Sequence, residues 1–510
     1  MTTRRETLVV LKNAVANLVR GSASAAVALV LPPFLTHSMS VDAFAAWSLV
    51  LQLSAFVGYL DFGIQTAISR FVAHLTERGD SAHRDGVVST ALVFLTASGC
   101  VAFVGLALLA LFLPQLFHHL PVNLVFDVRV SILLVGGSLA LGLPASVFGG
   151  TFVGLQRNEV PAAIIGGSRL FSAGLLILVV RNGAGIAGMA VCVAAVNVGS
   201  YALQYVAYRK VVADLVPTML LSVRHVSKAS ARELFEYCFS LTVWGVGLLL
   251  VTGLDLSIVG IFRFSEVGYY SIAATVVTFL GGSLGAIFSA IGSPAAVIHA
   301  RGDRAGLGRL VSTATRFGMV LLLATGLPLI LFAHWLLRIW VGPVYASHAA
   351  ILLQVLVGAN IIRICMTPYV LAMIGSGEQR RVILVPLLEG VTNLAFSVIL
   401  ARSFGGLGVA IGTLIGAIVS LAGNLLYNIR RTSAIQLDVR EYLEESLLRP
   451  CVYVVPILLV ALFWRVLPSD WLRNAFATAA CLASIVLLWK VSLIPEDRMK
   501  MKEVIKLHVA

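Results

Sequence analysis

The sequence predicts an all-α integral membrane protein of about 14 transmembrane helices, built as two parallel six-helix repeats around a central cavity plus two C-terminal helices. Three observations carry this: a composition too apolar for a soluble globule, long apolar runs separated by short basic loops, and an internal repeat.

Of the 510 residues, 59% are hydrophobic and only 12% are charged. Soluble domains carry about twice that share of charge. The surplus apolar surface cannot all be hidden in one core, so lipid must cover it. The formal net charge of +13 would suit nucleic acid, but the basic residues lie between hydrophobic runs rather than along one face. The six cysteines stand singly in or beside apolar stretches, without metal or redox spacing.

Apolar runs long enough to cross a bilayer fall near 14–36, 44–68, 88–114, 128–152, 160–181, 184–208, 236–262, 267–292, 309–335, 348–374, 382–402, 406–429, 447–467 and 470–492. The first follows a basic start, but Arg20 and the polar GSAS stretch merge it into a longer, uncleaved span. Basic residues mark cytoplasmic loops, so their alternation checks the count. Most of the 37 Lys and Arg fall on the side of the N-terminus, among them Arg78, Arg84, Arg209, Arg301, Arg380 and Arg430. Arg129, Arg181, Arg263, Arg338, Arg402, Arg465 and Arg473 fall on the other. A miscounted helix would scramble that pattern downstream. Both termini are expected in the cytoplasm of a bacterial inner membrane.

Arg78-Gly79-Asp80 recurs as Arg301-Gly302-Asp303, and Val88-Ser89-Thr90-Ala91 as Val311-Ser312-Thr313-Ala314, each 223 positions on. The stretches beginning at Phe44 and at Val267 keep that offset, as do Gly154-x-Gln156-Arg157 and Gly377-x-Gln379-Arg380. Six helices per copy is an even number, so the copies share one orientation, with a substrate site expected between them. The expected organisation is an N-lobe at 1–212, an amphipathic cytoplasmic linker at 213–235, a C-lobe at 236–432, and two further helices with a basic tail at 433–510.

The stretch from Leu31 to Asp80, LPPFLTHSMSVDAFAAWSLVLQLSAFVGYLDFGIQTAISRFVAHLTERGD, resembles the opening of Wzx-type polysaccharide flippases. These belong to the MOP superfamily, with the lipid II flippases and the MATE exporters. GLDLSIVGIFRFSEVGYYSIA, from Gly253, is similar to the opening of that family's second lobe. The resemblance covers roughly residues 10–430. It implies alternating access by two lobes and an undecaprenyl-diphosphate-linked oligosaccharide moved to the periplasmic leaflet, for O-antigen, capsule or exopolysaccharide. It also implies polysaccharide polymerase and glycosyltransferase machinery as partners. A monomer is expected, and no nucleic acid. The last two helices depart from the commoner twelve-span pattern and are similar to the pair in lipid II flippases, which is associated with a lipid-tail groove.

Such a substrate needs cations for its diphosphate, and the planar arginine fork binds phosphate oxygens in pairs. A charge at mid-helix costs about 2.5–3.5 kcal/mol on insertion scales, so its presence calls for a reason. Arg169 and Arg363 sit near mid-span; Arg20, Arg70 and Arg316 lie nearer the cytoplasmic ends, as a candidate anion ladder or as depth markers that snorkel. Asp61, Asp255 and Glu389 are the in-span carboxylates, candidates either for coupling H⁺ or Na⁺ or for pairing, Asp61 with Arg70 and Glu389 with Arg169. No prosthetic group or metal is implied, and none of these residues is read as catalytic.

Three rivals remain. A nucleotide-driven pump lacks any GxxxxGK[ST] stretch. A polytopic glycosyltransferase or polymerase would need a larger outer loop than these, where His118-His119 is the only dense spot. A MATE-like cation-coupled exporter would favour an acidic cavity.

Overall fold

The computed structural model describes residues 21–215, 222, 225–463 and 469–499, and among these it contains no strand. Arg4, Arg5, Arg20, Arg465 and Lys500 lie outside the described residues. The helices follow the apolar runs in order: α1 (21–38), α2 (Val41–Glu77), α3 (Ser81–Leu111), α4 (Val122–Gly154), α5 (Glu159–Arg181) and α6 (Ile186–Leu215). Then come α7 (Lys228–Leu248), α8 (Phe264–Ala300), α9 (Arg304–Leu331), α10 (Pro343–Gly375), α11 (Leu384–Phe404), α12 (Gly406–Arg431), α13 (Val439–Phe463) and α14 (Asp470–Leu487). Among the described residues, 12 helices are long and apolar enough to cross a membrane, or 13 when the bent pair Lys228–Phe239 and Leu241–Gly253 is taken as one span.

The repeat is visible in backbone geometry. Gly79 and Gly302 both turn through φ +72°, and the aspartates that follow cap the next helix. Asp80 accepts the His83 N–H at 3.1 Å, and Asp303 accepts the Gly306 N–H at 2.7 Å. Glycine suits the left-handed turn because it has no Cβ to clash. The later loop needs a correction of register. The left-handed residues there are Gln156 (φ 59°) and Gly377 (φ 76°), and the bond Arg157 N–H to Phe152 O matches Glu378 N–H to Met373 O. Backbone equivalence in that loop is thus two residues off the 223 offset, because the turn, not the Gln-Arg pair, fixes the geometry.

α7 begins within the stretch read as linker, where Ser227 caps it by accepting the Ser230 N–H at 3.0 Å. His83 at the start of α3 meets Glu233 at 2.8 Å and ties the two together.

The chain groups into two compact units, Met1–Thr275 with Leu337–His348 and Ser397–Val409, and Val276–Leu336 with Ala349–Phe396 and Ala410–Ala510. Turns of the second repeat therefore pack within the first unit. Phe44 and Tyr345 meet edge to face with centroids 5.7 Å apart, and Trp340 Nε1 donates to the Leu29 carbonyl at 2.9 Å. Gly260 packs against Phe117 in the same unit, where a Cβ would lie 3.0 Å from the ring.

In the second unit, polar bonds fasten α13 to α9 and to the turn that follows α14. Tyr442 OH meets Thr315 Oγ1 at 2.8 Å, Tyr453 OH donates to the Val320 carbonyl at 2.9 Å, and Arg449 Nε donates to the Val491 carbonyl at 2.7 Å.

Candidate functional site

In the first unit α2 is broken. A 3₁₀ turn over Phe56–Asp61 runs into Phe62 (φ 52°) and Gly63 (φ 77°) before the helix resumes at Ile64. A left-handed phenylalanine costs about 1–2 kcal/mol, so packing must hold it there. Asp61 lies at this break, accepting the backbone N–H groups of Gly63 and Gln65 and the Ser146 hydroxyl. The expected pairing with Arg70 is absent: the Arg70 guanidinium lies 4.8 Å from the centroid of the Tyr237 ring. The short carboxylate cannot leave the N–H groups that cap the resumed helix, whereas the long arginine reaches an aromatic face.

Asp255 is buried and accepts the Tyr270 hydroxyl at 3.0 Å. It heads the short helix Asp255–Phe262 that continues α7 beyond a π-helical turn. Arg169 is exposed on α5 and donates to Ser24 Oγ of α1.

The second unit holds two arginines in contrasting settings. Arg316 on α9 is 3% exposed, and its Nε stands 2.5 Å from Asp497 Oδ2, itself fully buried just past α14. In this conformation it neither snorkels nor offers its charge to an anion. Arg363 on α10 is half-buried and donates to the Asn360 amide oxygen at 2.9 Å. Its charge faces Glu389 on α11, which is 5% exposed and bonded to the Ser420 hydroxyl of α12. Gly416 lets α12 approach this turn, since a Cβ there would lie 3.2 Å from the Glu389 carbonyl. Among the described residues, Arg363 makes one side-chain hydrogen bond, and its partner is neutral.

Three features escaped the sequence reading. Asp497 sits in a stretch read as basic tail, so nothing marked it as the partner of Arg316. Arg84 and Asp85 form a buried ion pair at 2.9 Å at the start of α3, where a loop cation was expected. A column of polar residues on α12, Ser420, Asn424 and Asn428, followed by Thr432 at the helix end, shows as a four-residue spacing in an apolar run, and that signal was there to be found.

With this architecture in place, comparison defines the class. The chain is similar to the lipid II flippase MurJ in an inward closed conformation, with a TM-score of 0.69 at 10% identity, covering 94% of this chain and 98% of that one. It is also similar to an inward-facing multidrug resistance MATE family transporter of the MOP superfamily (TM-score 0.62, 16% identity, 83% and 99% covered). A MOP superfamily transporter from Pyrococcus furiosus, described as having a binding pocket of reverse polarity, follows at TM-score 0.58 and 14% identity over 85% and 96%. The fold is therefore that of the MOP flippases and exporters.

A family described as "Polysaccharide biosynthesis protein" matches residues 10–297, and the chain belongs to that family. An uncharacterized membrane protein of Bacillus subtilis (strain 168), EpsK, is 23% identical over 420 residues, 81% of each chain. The resemblance to a polysaccharide-biosynthesis family of the MOP fold read from the sequence stands, and the fold is one shared with multi-pass membrane flippases and exporters.

Proposed function

We propose that this protein flips a polyisoprenyl-diphosphate-linked oligosaccharide from the cytoplasmic to the periplasmic leaflet of a bacterial inner membrane, by alternating access of two lobes, for a surface polysaccharide. The observation that carries this reading is Arg363: a half-buried guanidinium at mid-span whose hydrogen-bond partner is a neutral amide. A buried cation is tolerated when something compensates it, and a diphosphate is a natural partner for the arginine fork. Glu389 facing it offers partial compensation while no anion is bound. Arg169, exposed and tied to Ser24, is the second candidate ligand for the headgroup.

The excess of basic residues on one side supports a cytoplasmic location for both termini. The polymerase and glycosyltransferases that consume and build the oligosaccharide are the expected partners of a monomer, and H⁺ or Na⁺ is the coupling ion. A MATE-like exporter of cations would gain nothing from Arg363.

The test is flipping of a fluorescent undecaprenyl-diphosphate-linked oligosaccharide in proteoliposomes. Charge-assisted hydrogen bonds contribute about 1.5–3 kcal/mol, so Arg363→Ala should slow flipping roughly 10- to 150-fold, and Arg169→Ala should slow it too. Parent-like rates in both variants would refute the reading.

A further inference from the structure

The hairpin between α3 and α4, which carries His118 and His119, has no part in the proposed flipping. It runs from Leu111, the last residue of α3, through a short turn of helix at Leu113–Leu116 to Val122, the first of α4. A cavity of about 380 Å³ opens in it. Phe117, Leu120, Val122, Val125 and Phe126 form an apolar wall, and His118 and Arg129 are its two basic members. Among the described residues no carboxylate lines it. Asp127 is the one acidic residue between Leu111 and Val130, and it lies against the turn between α5 and α6, where a Cβ on Gly185 would stand 3.6 Å from its Oδ2.

The inner wall is firm, since Leu113, Phe117 and Leu120 are buried and Phe117 packs on Gly260. The outer wall is open: Val122 is 90% and Phe126 72% exposed, and Leu111 and Phe112 at the end of α3 are exposed too. Apolar groups left uncovered at the end of a membrane-crossing helix call for an apolar neighbour. Arg129 is short of partners. Its Nη2 donates to the Leu111 carbonyl at 3.1 Å and so caps α3. Among the described residues that is its one hydrogen bond, it has no ion pair, and its Nε is buried without a partner. A guanidinium carries five N–H donors and is costly to leave unsatisfied, so capping alone does not account for it.

Depth points to the missing acceptor. α3 has 31 residues and therefore rises about 46 Å. A bilayer with its headgroups measures about 40–45 Å, so a helix that starts at one surface delivers Leu111, and Arg129 with it, to the phosphates of the opposite leaflet.

We propose that this cavity binds one anionic phospholipid of the leaflet facing away from the basic loops. The phosphodiester sits on Arg129 and His118, and the first carbons of an acyl chain lie along Val122, Val125 and Phe126. The arginine fork stays charged and pairs with phosphate oxygens, and the imidazole supplies a further N–H. A zwitterionic headgroup fits less well, because its ammonium would meet Arg129 and find no carboxylate. The cavity is of a size to hold a phosphodiester and a few methylenes, and an oligosaccharide would not fit within it. The site thus goes beyond the flipping reaction and does not depend on Arg363. Its lipid holds the α3–α4 hairpin at the level of the phosphates.

The test titrates the full chain, in lipid-free detergent, with phosphatidylglycerol or phosphatidylcholine and counts bound lipid by native mass spectrometry. The first phosphatidylglycerol should bind at least about tenfold more tightly than phosphatidylcholine, and Arg129→Gln should abolish that preference. Phe126→Ser, on the exposed wall, should weaken binding several-fold without burdening the fold. If Arg129→Gln does not fold, His118→Ala combined with Phe126→Ser tests the same cavity and should weaken binding further than Phe126→Ser alone. Arg402→Gln, which removes an exposed basic residue on the same side, should leave binding at the parent's level. Undecaprenyl diphosphate should not displace the bound phosphatidylglycerol. No preference for the anionic lipid, parent-like binding in Arg129→Gln or in the double variant, or equal weakening by Arg402→Gln would overturn the proposal. So would displacement by undecaprenyl diphosphate, which would make the cavity a station of the transported lipid.

Discussion

Arg316 and Arg363 are both arginines within membrane-crossing helices of the second unit, and sequence reading offered them the same task. The structure gives them opposite settings. Arg316 is closed into a buried ion pair with Asp497, while Arg363 is half-buried with a neutral amide as its hydrogen-bond partner and a carboxylate facing it. The difference teaches that a cation in a span announces a compensating group, not an external ligand. Which of the two it has depends on a partner that can lie far away in sequence.

The largest expected effect attacks the closed member of the pair. Arg316→Ala leaves the Asp497 carboxylate buried without its partner, which costs about 3–5 kcal/mol. Thermal unfolding in detergent should therefore drop sharply, and the double change Arg316→Met with Asp497→Leu should recover most of the loss. A single change with unaltered stability would show the pair to be incidental. Arg363→Ala is the opposite experiment: it should leave the unfolding midpoint close to the parent's while slowing flipping by at least about tenfold.

Smaller effects sharpen the contrast. Tyr442→Phe removes the buried bond to Thr315 and should destabilise by about 1–2 kcal/mol, weakening the hold of α13 on α9 without touching Arg363. Gly79→Ala and Gly302→Ala meet open space, so both should cost about 1 kcal/mol, purely from the left-handed backbone. Unequal costs would mean that the two copies of the turn do not share their geometry in solution. Arg70→Ala should cost least, about 0.5–1 kcal/mol for the contact with Tyr237.

The apolar runs and the basic loops were enough to place most of the long helices, because bilayer thickness imposes span length on the sequence itself. However, 12 or 13 of the described helices, not 14, are long and apolar enough to cross, and the early start of α7 at Lys228 was not marked. The repeat was legible for a related reason: Gly79 and Gly302 are demanded by a backbone angle that few other residues adopt. The charged groups were legible as positions but not as pairs. Asp497 lies 181 residues from Arg316, and no local pattern links them. Asp61 was misjudged because its partners are backbone N–H groups, which every residue offers and no sequence advertises. The stripe on α12 was written plainly in a four-residue spacing and was hidden only by the apolar residues around it.

The central claim is that Arg363, and not Arg316, meets the diphosphate. It is tested most directly by measuring undecaprenyl diphosphate affinity in nanodiscs for Arg363→Ala beside the Arg316→Met, Asp497→Leu double variant. The account predicts at least about tenfold weaker binding for the first and parent-like binding for the second. The reverse order, or equal affinity in all three proteins, would contradict it.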